Sequence, residues 1–168
     1  MKIAILLVVL FFSLYTDIKS RKILNIVTLP TILIGLIYHI STTGFEGFLL
    51  SGKGFLVGLG LLLIPYLLEG MGAGDVKLMA AIGSLMGASF VFHSFIYTAL
   101  IGGVIAILLI IKQRGFINLI KSFFYSIIFM RGNLGSILNP KDEHSSISFP
   151  YGVAIVLGTL CTLVWGGF

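Results

Sequence analysis

Two aspartates, Asp17 and Asp75, combine the side-chain type and the placement that chemistry would need in this chain. Asp75 stands in Glu69–Met79, EGMGAGDVKLM, a Gly-x-Gly-Asp turn set into an otherwise apolar stretch. Apolar residues run up to Leu68, polarity returns for a few positions, and the apolar pattern resumes after Lys77. A carboxylate in hydrocarbon costs roughly 2.5–3.5 kcal/mol on insertion scales, so an acid at the mouth of an apolar span needs a reason. Two close carboxyl groups cannot both ionise cheaply; one keeps a proton while the other can act as a base. Such a pair can activate a water against an amide carbonyl and then protonate the leaving nitrogen. Gly72 and Gly74 leave the backbone before Asp75 uncrowded, which allows an extended peptide to approach closely.

Each acid also has a plainer reading. Asp75 could be a helix N-cap, because a helix is expected to start directly after it. Asp17 could pair locally with Arg21 one helical turn later, an interaction worth little when exposed. Glu69 is a third acid near the same turn and reads as a solvated residue at a helix end. Lys77, two positions after Asp75, is expected to point away from it and to snorkel or meet lipid headgroups.

The elements that must position these residues follow from composition and apolar length. The 168 residues are 58% hydrophobic and only 10% charged, and the mean hydropathy is +1.13. That composition belongs to an all-α polytopic membrane protein, read here as a single integral membrane domain over residues 1–168 with no room for a sizeable soluble domain. The formal charge of +5 lies in short basic runs between apolar segments, so it reads as a topology determinant and not as a nucleic-acid footprint.

A span needs about 20 apolar residues. Span one is expected at 3–18, span two at 23–40 with Pro30 as a candidate kink, and span three at 54–68, with a start as early as Phe48 as the alternative. Between the last two, 41–53 reads as a loop. Gly54, Gly58 and Gly60 offer span three a small-residue face for close helix approach, and Pro65 can bend its end. From Val76 to Ile111 only Lys77 is charged, about twice the length of one span, so two helices must share it. A break at Gly87-Ala88-Ser89 gives span four at 76–86 and span five at 90–111. Residues 116–130 carry apolar side chains at helical spacing and read as an amphipathic interfacial helix, with a short re-entrant span as the competing reading. A polar loop over 131–148 and a last span at 149–165, ended by Trp165, complete a six-span helical bundle.

The N-terminal Lys2 and the apolar run after it imitate a signal peptide, but no small-x-small cleavage site follows, so the segment reads as a retained span. With six spans, Lys19, Arg21, Lys22, Lys77, Lys112, Arg114, Lys121, Arg131 and Lys141 fall on one side, and Lys2 and Lys53 on the other. The positive-inside rule puts the first group in the cytoplasm and the N-terminus outside. Reading 76–111 as one span would flip the later basic cluster outward. Asp17 and Asp75 then lie at the same depth on the cytoplasmic side, and they meet if spans one and four are neighbours.

These residues resemble a known family. Gly72-Ala-Gly-Asp-Val-Lys-Leu78, followed by Met79-Ala-Ala-Ile-Gly83, is similar to the second motif of the type IV prepilin peptidases, the Gly-x-Gly-Asp aspartic proteases of the membrane. Asp17, with Arg21, Ile23 and Asn25 after it, resembles their first motif, although Leu24 stands where many members have proline. Pro150-Tyr-Gly-Val-Ala-Ile155 resembles their last helix, especially in small members of the Tad or Flp pilus type. The resemblance implies cleavage of a prepilin leader peptide at the cytoplasmic face, in the setting of type IV pili and protein secretion. Asp17 and Asp75 would be the catalytic pair, and Gly72, Gly74, Lys77, Arg21 and Asn25 would be motif or supporting residues. Larger members add a four-cysteine cytoplasmic domain and N-methylate the new terminus; one cysteine and short loops imply that both are missing here.

Other readings differ in class. An archaeal-type preflagellin peptidase shares the motif. An ion-coupled carrier would also use membrane acids, but near the midplane of repeated, interrupted helices. A non-catalytic secretion subunit explains the glycines but not the paired acids. Presenilin-like enzymes share Gly-x-Gly-Asp but carry Tyr-Asp in their first motif, whereas Thr16 precedes Asp17 here. No metal or other cofactor is expected, since His39, His93 and His144 do not converge on this topology. Ser84 and Ser89 lack a positioned base, and Cys161 reads as a small buried side chain. The expected partners are a prepilin or pilin-like substrate and the lipid bilayer, with no nucleic acid.

Overall fold

The computed structural model describes residues 1–20, 23–68, 71–114 and 151–165. Every described element is an α-helix: α1 Lys2–Ser20, α2 Asn25–Thr43, α3 Phe45–Leu67, α4 Ala73–Met86, α5 Ala88–Arg114 and α6 Tyr151–Trp165. The chain forms two compact units, one of Met1–Gly102 with Pro150–Phe168 and one of Gly103–Phe149. Of the second unit, the described part is the later portion of α5, which exposes Val104, Ile107 and Leu108. Everything below concerns the first unit.

Among the described residues, four helices are long and apolar enough to cross a membrane: Lys2–Ser20, Asn25–Thr43, Phe45–Leu67 and Ala88–Leu109. Their outer faces carry large apolar side chains, among them Leu7, Phe11, Leu33, Ile37, Leu56 and Ile64, as lipid contact requires. Of the six expected spans, four fall on helices of spanning length among the described residues and two on shorter apolar helices, α4 of 14 residues and α6 of 15. At 1.5 Å per residue α4 is about 21 Å long, short of a hydrocarbon core of about 30 Å. The interfacial helix expected at 116–130 lies outside the described residues.

Helix α4 is the centre of the unit. From Asp75 to Leu85 every residue except Lys77 is buried, including Leu78, Met79, Ile82 and Leu85 at full burial. A helix that is apolar all round is one surrounded by other helices, and α1, α2, α3 and α6 all pack on it. Glycines let them come close. A Cβ on Gly58 would run into the carbonyl of Met79, and one on Gly54 into the carbonyl of Gly83, so α3 and α4 meet backbone to backbone. The expected small-residue face is therefore real at Gly54 and Gly58, whereas a Cβ on Gly60 would have nothing within 4 Å. From α2, Gly35 lies against Ser84, whose carbonyl oxygen would be 2.8 Å from a Cβ there. Hydroxyls tie the same three helices: Ser51 donates to the Ser84 carbonyl at 2.8 Å, and the Ser84 hydroxyl donates to Ile32 O at 3.1 Å.

The loop expected at 41–53 is in fact almost all helix. Only Gly44, at φ 62°, separates α2 from α3, and its N–H caps α2 at Ile40 O (2.8 Å). Ser41, Thr42 and Thr43 continue α2 because their hydroxyls return to the carbonyls of Ile37, Tyr38 and His39, and in a helix such back-bonding is tolerated. Gly47 and Ser51 are small because they face neighbouring helices, not because the chain turns. The break expected at Gly87-Ala88-Ser89 falls on Gly87, at φ 95°, whose N–H caps α4 at Gly83 O. On the far side, α6 packs against α5 through Gly158, where a Cβ would crowd Thr98, and through Ser94 donating to Thr162 at 3.2 Å.

Candidate active site

Asp17 ends a buried stripe on α1 made of Leu6, Val9, Leu10 and Ser13, one face of the helix at three- and four-residue spacing. The stripe faces the bundle, so the last turn of α1 carries the carboxylate inward; Asp17 is only 4% exposed. Asp75 sits in the first turn of α4, one residue ahead of the apolar segment 76–86, and is 8% exposed. Helices α1 and α4 are neighbours, which satisfies the condition for the two acids to meet. Both carboxylates line one cavity of about 280 Å³, together with Ile23, Asn25, Gly72, Ala73, Gly74 and Lys77.

The turn around Asp75 differs in one detail from the capping expectation. Gly72 is the N-cap residue and Asp75 is the third residue of the helix. Its Oδ2 accepts the Gly72 N–H at 3.2 Å, and its own N–H returns to Gly72 O at 3.1 Å. The acid therefore does cap, but from inside the helix, as the acidic member of a capping box does. Burial pushes the Asp75 carboxyl up, the Gly72 N–H pulls it part of the way back, and the negative charge of Asp17 raises it further, to about 6. The last of these contributions is the electrostatic signature of a carboxylate pair.

Gly74 serves a close approach. A Cβ on it would lie 3.0 Å from Ile23 Cβ and 3.1 Å from Ile23 O, so the segment leading into α2 seats directly on the first turn of α4. That contact brings Asn25, the first residue of α2, to Lys77, whose Nζ donates to Asn25 Oδ1 at 2.9 Å. Lys77 is exposed and also lines the cavity, held there by a residue from another helix. Arg21 and Glu69 lie outside the described residues.

Helix α6 completes the surroundings of Asp17. A Cβ on Gly152 would be 2.6 Å from Asp17 Oδ2 and 2.8 Å from its Cγ, so only glycine admits the carboxylate here. The backbone N–H groups of Gly152 and Val153 turn toward that carboxylate, and the N-terminus of a helix favours negative charge. Sequence reasoning gave no role to Gly152 or Ile23. The first was visible only as part of Pro150-Tyr-Gly-Val, and nothing local in the sequence shows that its missing side chain makes room for Asp17.

The remaining described candidates do not line the cavity. His39 is buried in α2, with Nδ1 on Gly35 O at 2.8 Å and Nε2 3.1 Å from Lys2 Nζ. His93 is turned to Ser89 O of its own helix, and His144 lies outside the described residues. Among the described residues no group of three His, Cys, Asp or Glu side chains gathers. Ser84 is occupied in the packing of α2, α3 and α4, and Cys161 is a half-buried free thiol on α6.

No curated protein and no solved structure matches the chain. The model of one family, described as the Type IV leader peptidase family, matches residues 4–107, which is more than half of the chain and includes both aspartates with the glycine turn between α3 and α4. A helical membrane protein with two buried carboxylates at one cavity, matched over that length, belongs to the type IV leader peptidase family.

Proposed function

We propose that this protein is a membrane-embedded aspartic endopeptidase and that Asp17 and Asp75 are its catalytic pair. The observation that carries this reading is the shared cavity: two buried carboxylates from different helices face one space, and the charge of Asp17 adds to the upward displacement of Asp75. In the working form Asp75 holds the proton and Asp17 is ionised, in keeping with the upward displacement of Asp75 to about 6. Asp17 takes a proton from a water as the water oxygen bonds to the scissile carbonyl carbon. Asp75 gives its proton to the carbonyl oxygen, and collapse of the tetrahedral intermediate returns a proton to the departing nitrogen, so that acid and base exchange roles over the cycle. Gly72 and Gly74 keep the cavity rim free of side chains, which suits an extended peptide backbone.

The substrate class follows from the family and from the membrane setting. A leader peptide joined to an apolar stem, as in prepilin-like proteins, would lay its stem along the lipid-facing helices and present the junction at the depth of the two acids. The basic bias of the connections on the acids' side supports a cytoplasmic face for the site, with the N-terminus outside, in the cell membrane. Conversion of Asp17→Asn or Asp75→Asn in the full-length protein, assayed on a prepilin-like substrate in membranes, should abolish cleavage in each case. Substantial processing by either variant would overturn the two-carboxylate mechanism.

A further inference from the structure

Ser13 lies one helical turn before Asp17 on the same buried stripe of α1 and is itself fully buried. Buried hydroxyls elsewhere in the described residues are engaged. Thr31, Thr98, Thr159 and Thr162 donate to carbonyls of their own helices, and Ser51, Ser84 and Ser94 donate across helices. Ser13 Oγ does neither. Among the described residues, the buried side-chain polar atoms without a hydrogen-bond partner are two: Ser13 Oγ and Asp17 Oδ2. Residues four apart on a helix have Cβ atoms about 5–6 Å apart, within reach of a hydroxyl and a carboxylate. A buried polar group left unpaired is costly, and the two orphans stand one helical turn apart on the same buried face without bonding to each other.

We propose that Ser13 is a positioning residue for Asp17, its hydroxyl donating to Asp17 Oδ2 through one bridging water or after a side-chain rotation, since the two atoms as placed do not bond to each other. This rests on the reading of Asp17 as the catalytic base. The other groups facing Asp17 are known: the Gly152 and Val153 N–H groups from α6, Asp75 from α4, and, across the cavity, Lys77 from α4 and Asn25 from α2. The Gly152 and Val153 N–H groups and the Ser13 hydroxyl donate to the ionised form, and only the hydroxyl can be removed by a side-chain substitution that barely changes volume. Ser13 thus holds Asp17 in the ionised, correctly rotated state in which it can take a proton from water.

The test uses the full-length protein in liposomes and a synthetic substrate carrying a leader and an apolar stem, with cleavage followed across pH for wild type, Ser13→Ala, Ser13→Thr and Asp17→Asn. Ser13→Ala should move the acidic limb of the rate profile to higher pH by about one unit, a loss of about tenfold on that limb. Ser13→Thr, which keeps the hydroxyl, should restore the limb. An acidic limb unchanged in Ser13→Ala would overturn the proposal, as would an equal loss at every pH that threonine does not rescue. If the alanine variant fails to assemble, Ser13→Cys, with a weaker donor of similar size, should give an intermediate limb; a limb identical to wild type would count against the role. Cleavage by Asp17→Asn would instead overturn the catalytic reading itself, so the two failures are distinguishable.

Discussion

Gly152→Ala is the substitution that separates a catalytic site from a merely well-packed helix end. The new Cβ would stand 2.6 Å from Asp17 Oδ2, 2.8 Å from Cγ and 3.1 Å from Cβ, where ordinary contact begins at 3.4 Å. The shortfall at Oδ2 is 3.4 − 2.6 = 0.8 Å, and it falls on the atoms that would do the chemistry. Either Asp17 rotates away, which displaces the carboxylate by most of an ångström, or the start of α6 recedes and withdraws the Gly152 and Val153 N–H groups from it by as much. Misplacement of a reacting group by about 1 Å can cost about 10²-fold in rate. The stability cost is smaller. Overpacking takes about 1–3 kcal/mol, and alanine in place of glycine within a helix returns about 1 kcal/mol. The expected outcome is a protein that assembles, unfolds within a few degrees of wild type in detergent, and cleaves about 10²-fold more slowly. The assay is single-turnover cleavage with enzyme in excess, read beside a thermal unfolding curve of the same preparation. Cleavage within about threefold of wild type, with an unchanged melting temperature, would refute the placement of Gly152 against Asp17.

Two more outcomes follow from the geometry. Because Asp75 is raised to about 6 and serves in its protonated form, kcat/KM should fall as pH rises through about 6, where the pair loses its remaining proton; a profile flat from pH 5 to 8 would contradict that assignment. Gly58→Leu should prevent stable assembly, since even a Cβ there meets the carbonyl of Met79 in the buried central helix, whereas Gly60→Leu should be tolerated within about 1 kcal/mol; equal yields and melting temperatures for the two variants would refute the close contact of α3 and α4.

What could be read from the sequence was what depends on length and charge. That Asp17 and Asp75 come to one cavity was readable because apolar segments of countable length separate them. The break at Gly87 was readable because the apolar stretch around it is too long for one helix. The expected loop at 41–53 fails for a physical reason: Ser41, Thr42, Thr43, Gly47 and Ser51 look like loop residues, but small and hydroxylated side chains are also what a helix carries where it meets another helix. The place of Asp75 inside α4 was hidden by the glycines, because the sequence does not say which of Gly72 or Asp75 starts the helix. The Lys77–Asn25 hydrogen bond spans residues far apart in the chain and depends on Ile23 seating on Gly74, a contact that no local pattern announces.

The glycine and serine contacts that bind α2, α3 and α4 have a bearing on how the site could be tuned. Backbone against backbone at Gly54 and Gly58, with the Ser51 and Ser84 hydroxyls locked between, makes those three helices a stiff block that carries Asp75 at its tip. Asp17 belongs to a different partnership, seated against the start of α6. The two acids are therefore held by different sets of contacts, although α1 and α6 also pack on α4. A change in lateral pressure or bilayer thickness that shifted α1 and α6 against that block would alter the gap between the carboxylates while every residue of the site stayed chemically the same.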